Sequence, residues 1–309
     1  MMPDPGPVTV ARRPVDAEAQ RTLPPHWHPV LRRVYAARGI DHPEALDRRL
    51  EVLPDPGTMG VSRQPHGSSP MPWRRGGESC WWATSTPMVA TSCAVGLRAL
   101  GAMGADAVDY LVPNRFEYGY GLSPALVREA ESLAPEVIVT VDNGVSSIDG
   151  VRAARERGIQ VIVTDHHLPG AELPPADALV NPNCPGCGFP AKTLAGVGVI
   201  FYVMAALRRL LRARGRFPRQ APPLAALLDL VAVGTVADVV PLERINRALV
   251  HQGLARIRAG RACPGIKALL EVAGRDPGRV VAADLGFAVG PRLNAAGRLE
   301  DTPWASSAC

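Results

Sequence analysis

The sequence predicts an α/β fold built on a parallel sheet, and three observations carry that expectation. Two short apolar runs, Val137–Val141 and residues 159–163, each end in polar residues, the pattern of strands buried on both faces. The stretch between them, residues 146–157, has helical spacing, which makes a β-α-β unit. Strands alternate with helices along much of the chain, and that alternation implies a sheet with covered faces.

Taken in order, residues 26–50 read as helical. Val30, Leu31, Val34 and Tyr35 share a face, and Pro43 opens a second helix. Residues 53–89 mix Pro, Gly, Ser, Arg and Trp with no period of 2 or 3.6, so they read as loop or disorder. No well-packed strand is expected there. An Ala/Leu-rich helix follows over 91–102, then a strand over 108–112, then a helix over 124–133 with Ser123 as its N-cap. After the central unit come a short strand at 178–180 and a Pro/Gly/Cys turn. A long helix follows over 194–214, where Arg208, Arg209, Arg212 and Arg214 complement the helix dipole. Residues 216–223 form a linker, and 224–236, 246–259 and 266–273 read as helices. There is no internal repeat.

The 309 residues are enough for two domains, and 47% apolar content supports a sizeable core. A net charge of +5, from 34 basic and 29 acidic residues, favours an anionic partner only weakly. Residues 1–7 have no apolar signal core. No apolar run reaches membrane-spanning length; residues 194–207 come closest and are punctuated by glycine. A soluble cytoplasmic protein is therefore expected. Six cysteines in a chain this long do not suggest a disulfide framework. Cys184-Pro-Gly-Cys187 has the spacing of half a zinc site, but no second pair matches it, so a turn with free thiols is the better reading.

The chemistry concentrates where the two apolar runs end. Asp142, Asn143 and Gly144 follow the first; Asp165, His166 and His167 follow the second. Open α/β sheets bind ligands outside the carboxyl ends of their strands. Hard carboxylates with imidazole suit Mn²⁺, Mg²⁺ or Zn²⁺. The competing reading has Asp165 capping a helix and the histidines solvated, and spacing alone leaves both open.

Asp165-His166-His167 after a strand, with Val141-Asp142-Asn143-Gly144 upstream, resembles the DHH phosphoesterase superfamily. Three longer stretches resemble its RecJ branch, the single-stranded-DNA-specific 5′→3′ exonucleases. They are Pro113-Asn-Arg-Phe-Glu-Tyr-Gly-Tyr-Gly-Leu122, Gly234-Thr-Val-Ala-Asp-Val-Val-Pro-Leu242 and Gly290-Pro-Arg-Leu-Asn-Ala-Ala-Gly-Arg-Leu299. The resemblance runs almost continuously over residues 90–299 and weakly over 26–53. It implies a parallel-sheet DHH phosphoesterase domain at 74–215, preceded by an N-terminal helical and aberrant segment at 1–73. A helical connection and the start of a second, truncated domain would occupy 216–309. Asp142 resembles a carboxylate that bridges two metal ions, with His166 and Asp238 as further ligands. Asp165 and His167 would orient ligands or meet the scissile phosphate. Asp142, His166 and Asp238 are therefore expected within about 4–6 Å of one another, allowing for an empty site.

Two Mn²⁺ or Mg²⁺ ions about 3.5–4 Å apart would activate a water and neutralise the anionic phosphodiester. Arg115 resembles a 5′-phosphate anchor, and Arg292, Asn294 and Arg298 a phosphate-contacting loop, since the guanidinium fork suits phosphate. Without the motifs, Arg115 and Arg298 would read as ordinary surface arginines. Gly196 and Gly198 read as close helix packing, because the pattern for dinucleotide binding is absent. The resemblance also implies action on single-stranded DNA in repair and recombination, with a single-stranded-DNA-binding protein and a helicase as partners. A small-phosphoester hydrolase of the same superfamily is disfavoured by the three longer stretches.

The chain departs from this pattern at one place. RecJ-like proteins carry an early strand ending in Asp-Phe-Asp-Ala-Asp-Gly, which supplies metal-binding aspartates just before the equivalent of Ala90. Here residues 82–89 read Trp-Ala-Thr-Ser-Thr-Pro-Met-Val. Codons exist for residues 81–89 that, read from the third base, encode Val-Gly-Asp-Phe-Asp-Ala-Asp-Gly. The same shift at residues 303–308 can give Leu-Gly-Val-Glu-Cys, which resembles the family's continuation. A frameshift, in sequencing or in the gene, is favoured over genuine divergence. As written, the chain is expected to have little exonuclease activity while retaining part of its single-stranded-DNA binding. The alternative is a catalytically impaired fragment or a non-catalytic single-stranded-DNA-binding relative.

Overall fold

The computed structural model describes residue 11 and residues 14–62, 80–83, 90–105, 108–111 and 118–296. The chain divides into two compact units, Met1–Arg48 and Arg49–Cys309. In the first, α1 (Ala17–Thr22) and α2 (Pro29–Ala36) enclose a small core of Leu23, Ala36 and Ile40, joined by Trp27 and Tyr35. A single 3₁₀ turn, Pro43–Leu46, stands where a second helix is expected. Val30, Leu31 and Val34 share a face of α2 but remain exposed.

The second unit holds a sheet of six described strands. They are β1 (Val61–Ser62), β2 (Cys80–Ala83), β3 (Val108–Leu111), β4 (Val137–Val141), β5 (Gln160–Thr164) and β6 (Ala178–Val180). Their order is β1-β6-β5-β4-β2-β3, parallel throughout except for β1 against β6. Alternate strand residues feed two cores, as a period of 2 requires. Val137, Val139 and Val141 face one side, with α3 (Ala90–Ala102) and the long α6 (Gly196–Ala213). Ile138, Val161 and Val163 face the other, with α4 (Pro124–Glu131) and α5 (Ile148–Glu156). Ser123 caps α4 by accepting from the Leu126 amide. A 3₁₀ turn at Leu224–Leu227 leads into α7 (Leu228–Ala237), which packs on α8 (Arg244–Arg258); α9 (Pro264–Val272) follows. No described helix is long and apolar enough to cross a membrane.

The structure corrects the reading of residues 53–89 as lacking a packed element. Met59 is buried in the main core, and Cys80–Ala83 form a strand between β3 and β4. The physical reason is tertiary. A slot with hydrogen-bonding backbone on both sides accepts a short segment whatever its period, and aromatic residues favour strands. Residues 84–89, the rest of the proposed aspartate-motif position, lie outside the described residues, as do 297–309.

The chain runs outward from β2 to β3, then returns to the other side of β2 for β4, β5 and β6. The reversal lies between β2 and β4, and the crevice at such a reversal is the usual ligand site of an open α/β sheet. Asp142 follows one of the two flanking strands.

Candidate metal centre

The site begins where β4 and β5 end together. Val141 pairs with Thr164, and the Asp142 amide donates to the Thr164 carbonyl at 2.9 Å. Asp142 then turns into the left-handed region, φ 58°, which Asp tolerates better than most residues. Gly144 follows at φ 107°, where a Cβ would fall 2.4 Å from Thr140 Oγ1. One strand over, the Asp165 amide donates to the Val180 carbonyl of β6.

Asp165 is 1% exposed and fully engaged. Its Oδ1 accepts from the His166 amide at 2.7 Å, the His167 amide at 3.1 Å and His167 Nδ1 at 2.6 Å. Its Oδ2 accepts from the Val145 amide at 2.9 Å. Burial would push this carboxyl up, but the hydrogen bonds from His167 and Val145 outweigh it and hold the group below the ordinary value. Asp165 therefore ties the β4 and β5 loops together and aligns His167. The bond to Asp165 raises the His167 pKa.

His166 points the other way. Its Nε2 lies 2.9 Å from Asp142 Oδ1 and 3.4 Å from Asp238 Oδ2. All three atoms are buried and lack a hydrogen bond of acceptable angle, so the short distances reflect convergence rather than satisfied pairing. Burial alone would lower the His166 pKa. The Asp142 carboxylate, helped by Asp238 and Asp165, overcomes it and raises the pKa to about 9. Burial and the charge of Asp142 push the Asp238 carboxyl up in turn. Atoms of Asp142, His166 and His167 also lie within 4.8 Å of one another.

Three buried ligand atoms without a hydrogen bond, closing on one point, fit a divalent cation, which would satisfy all of them at once. The set is short of what two hard cations need, since each takes about six ligands. Ala83, the last residue of β2, pairs with Thr140, just before Asp142. The six residues after it, Thr-Ser-Thr-Pro-Met-Val, carry no Asp, Glu, His or Cys.

Asp238 is delivered by helix packing. It sits at the C-terminus of α7, followed by Val239 at φ 58°. A β-branched residue there, where glycine is usual after a helix, costs on the order of 1–3 kcal/mol. On the opposite side, α6 begins at Gly196, where a Cβ would fall 2.2 Å from Asp142 Oδ1. The Gly196 backbone offsets part of the upward push on the Asp238 carboxyl. Gly196 is thus close packing, against the site itself; Gly198 packs on Leu194. Asn246, 1% exposed, braces both approaches by donating to the Thr193 carbonyl at 2.7 Å and the Pro241 carbonyl at 2.9 Å.

The expected phosphate contacts are only partly described. Arg115 and Arg298 lie outside the described residues. Arg292 and Asn294 stand on a helix, Gly290–Ala296, preceded by a π-helical turn at Leu285–Val289, and not on the loop expected from sequence. Local i→i−4 and i→i−5 bonding won over the Gly/Pro signal at 290–291, since Pro is tolerated in a first helical turn. Arg292 donates to the Ala288 carbonyl. The turn at Cys184-Pro-Gly-Cys187 is closed by a bond from the Cys187 amide to the Cys184 carbonyl, and both thiols are free of disulfides.

Sequence reasoning missed Asn181, Asn183 and Asn246. A signal existed for the first two: an Asn-Pro-Asn run directly follows β6, and the register Thr164↔Val180 places it beside Asp165.

Residues 89–235 match the DHH family, N-terminal domain. The single-stranded-DNA-specific exonuclease RecJ of Escherichia coli K12 is 52% identical over 298 residues, covering 95% of this chain and 51% of that protein. A crystal structure of an exonuclease RecJ bound to manganese superposes with a TM-score of 0.64 at 37% identity, over 74% of this chain and 56% of that one. RecJ of Thermus thermophilus in complex with Mn²⁺ gives 0.69 at 31% identity, over 91% and 38%. The chain spans about half the length of the curated relatives it matches. Residues 89–235 thus carry the sequence of the DHH family's N-terminal domain at the carboxyl edge of a parallel sheet, and the chain is similar to RecJ proteins in both sequence and fold.

Proposed function

We propose that the chain is the catalytic portion of a RecJ-type exonuclease that hydrolyses single-stranded DNA from the 5′ end, with Mn²⁺ or Mg²⁺ as cofactor. The observation that carries this reading is the convergence of Asp142 Oδ1, His166 Nε2 and Asp238 Oδ2, buried atoms without a hydrogen bond, at the sheet reversal. Relatives solved with Mn²⁺ and with Mg²⁺ support the choice of metal. On this reading Asp142, His166 and Asp238 hold the cation, and Asp165 and His167 are the catalytic pair beside it. A bound metal supplies a water of lowered pKa and charge neutralisation at the phosphodiester. Asp165 keeps the His167 ring oriented toward the reacting phosphate. Arg115, Arg292, Asn294 and Arg298 bind the DNA backbone, as guanidinium groups suit phosphate.

The domain limits we infer are 1–73 for the N-terminal segment, 74–215 for the DHH phosphoesterase domain and 216–309 for the helical connection leading into a second domain. A role in DNA repair and recombination in the cytoplasm, beside a single-stranded-DNA-binding protein and a helicase, follows from the same family reading.

A second reading is favoured by one specific observation, the absence of any carboxylate in the six residues directly after β2, Thr84 to Val89. It makes the chain a catalytically impaired DNA-binding relative, with a frameshift as the cause. One experiment addresses both. A 5′-phosphorylated single strand is incubated in Mn²⁺ with this chain and with a version carrying Gly-Asp-Phe-Asp-Ala-Asp-Gly before Ala90. Both are joined to the same downstream half of a full-length relative. Degradation by the second version and little by the first is the expected result. Equal, robust activity refutes the claim that the motif is lost and needed. Inactivity of both refutes the exonuclease reading.

A further inference from the structure

The loop that carries His166 and His167 is held almost entirely by side chains. After Asp165, whose amide still bonds to β6, the amides of His166 and His167 both go to the Asp165 carboxylate. Their carbonyls are taken by two asparagines. Asn181 Nδ2 donates to the His167 carbonyl at 2.8 Å, and Asn183 Nδ2 donates to the His166 carbonyl at 2.6 Å. The two asparagines are locked to each other, since the Asn183 amide donates to Asn181 Oδ1 at 2.8 Å. Asn181 is fully buried. The turn between them and α6 is pinned in turn by Lys192, whose Nζ donates to the Pro182 and Cys187 carbonyls at 2.5 and 2.6 Å.

We propose that Asn181 and Asn183 are positioning residues that aim the His166 imidazole at the Asp142–Asp238 pair, and so set the affinity of the metal centre. The inference rests on the metal-site reading above. The physical argument is that neither carbonyl has a sheet or helix partner to define its direction, so the asparagine amide groups that bond to them define it. The Asn181 carboxamide does both jobs at once, donating to one peptide through Nδ2 and accepting from another through Oδ1. Fixing the carbonyl fixes the peptide plane, and the plane sets where Nε2 falls. Metal–ligand distances are set within about 0.2 Å, so a small rotation of this loop removes a ligand. Groups that orient ligands in this way typically change metal affinity by about 10–100-fold when removed. The same segment continues into Gly196, so one stretch of chain supports His166 from behind and Asp142 from the side.

The test is Mn²⁺ affinity, read from the loss of the free-Mn²⁺ paramagnetic resonance signal, for the whole chain and for Asn183→Ala. Asn183 is the variant of choice because it is only half-buried, so its loss costs the fold less than that of Asn181. Leu270→Ala, a fully buried core change on α9, serves as the control for destabilisation. The expected result is Mn²⁺ binding weakened about 10–100-fold in Asn183→Ala and unchanged in Leu270→Ala, even where the control lowers the melting temperature more. Affinity within about threefold of the unaltered chain in Asn183→Ala, well short of the tenfold lower bound, overturns this inference and leaves the metal site standing. Equal weakening in Leu270→Ala also overturns it, by making the effect one of general stability. Failure of the unaltered chain to bind Mn²⁺ overturns the metal-site reading and this inference with it.

Discussion

Gly196→Ala is the sharpest perturbation the structure offers, because one methyl group would be placed against a ligand. A Cβ at this position would lie 2.2 Å from Asp142 Oδ1, 2.4 Å from its Cγ and 2.7 Å from its Cβ, where ordinary contact begins at 3.4 Å. Either Asp142 or the start of α6 must shift by about 1 Å, several times the roughly 0.2 Å within which metal–ligand distances are set. Asp142 is held by the β4–β5 ladder, so its side chain has little room to move except by rotating away from His166. The expected loss of Mn²⁺ affinity is about 100-fold, on the order of 2.7 kcal/mol. Overpacking adds a stability cost of about 1–3 kcal/mol, read from the urea midpoint. Gly198→Ala separates the two effects. Its Cβ would meet the Leu194 side chain at 2.5 Å, on the same helix but away from Asp142. It should lower the urea midpoint and leave Mn²⁺ affinity intact. Unchanged affinity in Gly196→Ala, or an equal loss in Gly198→Ala, refutes the reasoning.

Asp238→Asn should weaken Mn²⁺ binding at least about tenfold while leaving the metal-free chain no less stable, since burial and the Asp142 charge already disfavour the ionised form; a large drop in the metal-free melting temperature would contradict this. In the metal-free chain the raised pKa of His166 contributes stability that is complete below about 6.5 and is lost as pH rises through about 9. The urea midpoint should therefore fall between about pH 7 and 9.5, with a shallower fall in His166→Gln, and an equal slope in both chains would exclude His166 as the source. Mn²⁺ binding at about pH 7 should release about one proton, measured by calorimetry in two buffers of different ionisation enthalpy, and proton uptake would be incompatible with the site. Mn²⁺ at about 100 times its dissociation constant should add about 2.7 kcal/mol to stability and raise the melting temperature reversibly, with chelator restoring the original value; no shift at saturating Mn²⁺ would remove the cation from the account.

The sequence by itself determined what depends on short-range pattern. The apolar runs at 137–141 and 159–163 became β4 and β5, the latter shifted by one residue, and the helical spacing between them became α5. Ser123 capped its helix, and Asp142 and Asp165 fell at strand ends because strand length and polarity are local properties. Tertiary structure alone decided three things. Cys80–Ala83 became a strand because β3 and β4 offered backbone partners on both sides, which no period in the segment announces. Asp238, known from sequence only through a family motif, reached His166 because α7 docks beside α6, and a helix terminus carries no record of which strand end it will face. The missing hydrogen bonds at Asp142 Oδ1, His166 Nε2 and Asp238 Oδ2, and the asparagine bonds to the His166 and His167 carbonyls, arise from packing by segments distant in the chain. Periodicities of 2 and 3.6 specify which face of an element is apolar; the convergence of polar atoms at one point is set by how those faces pack.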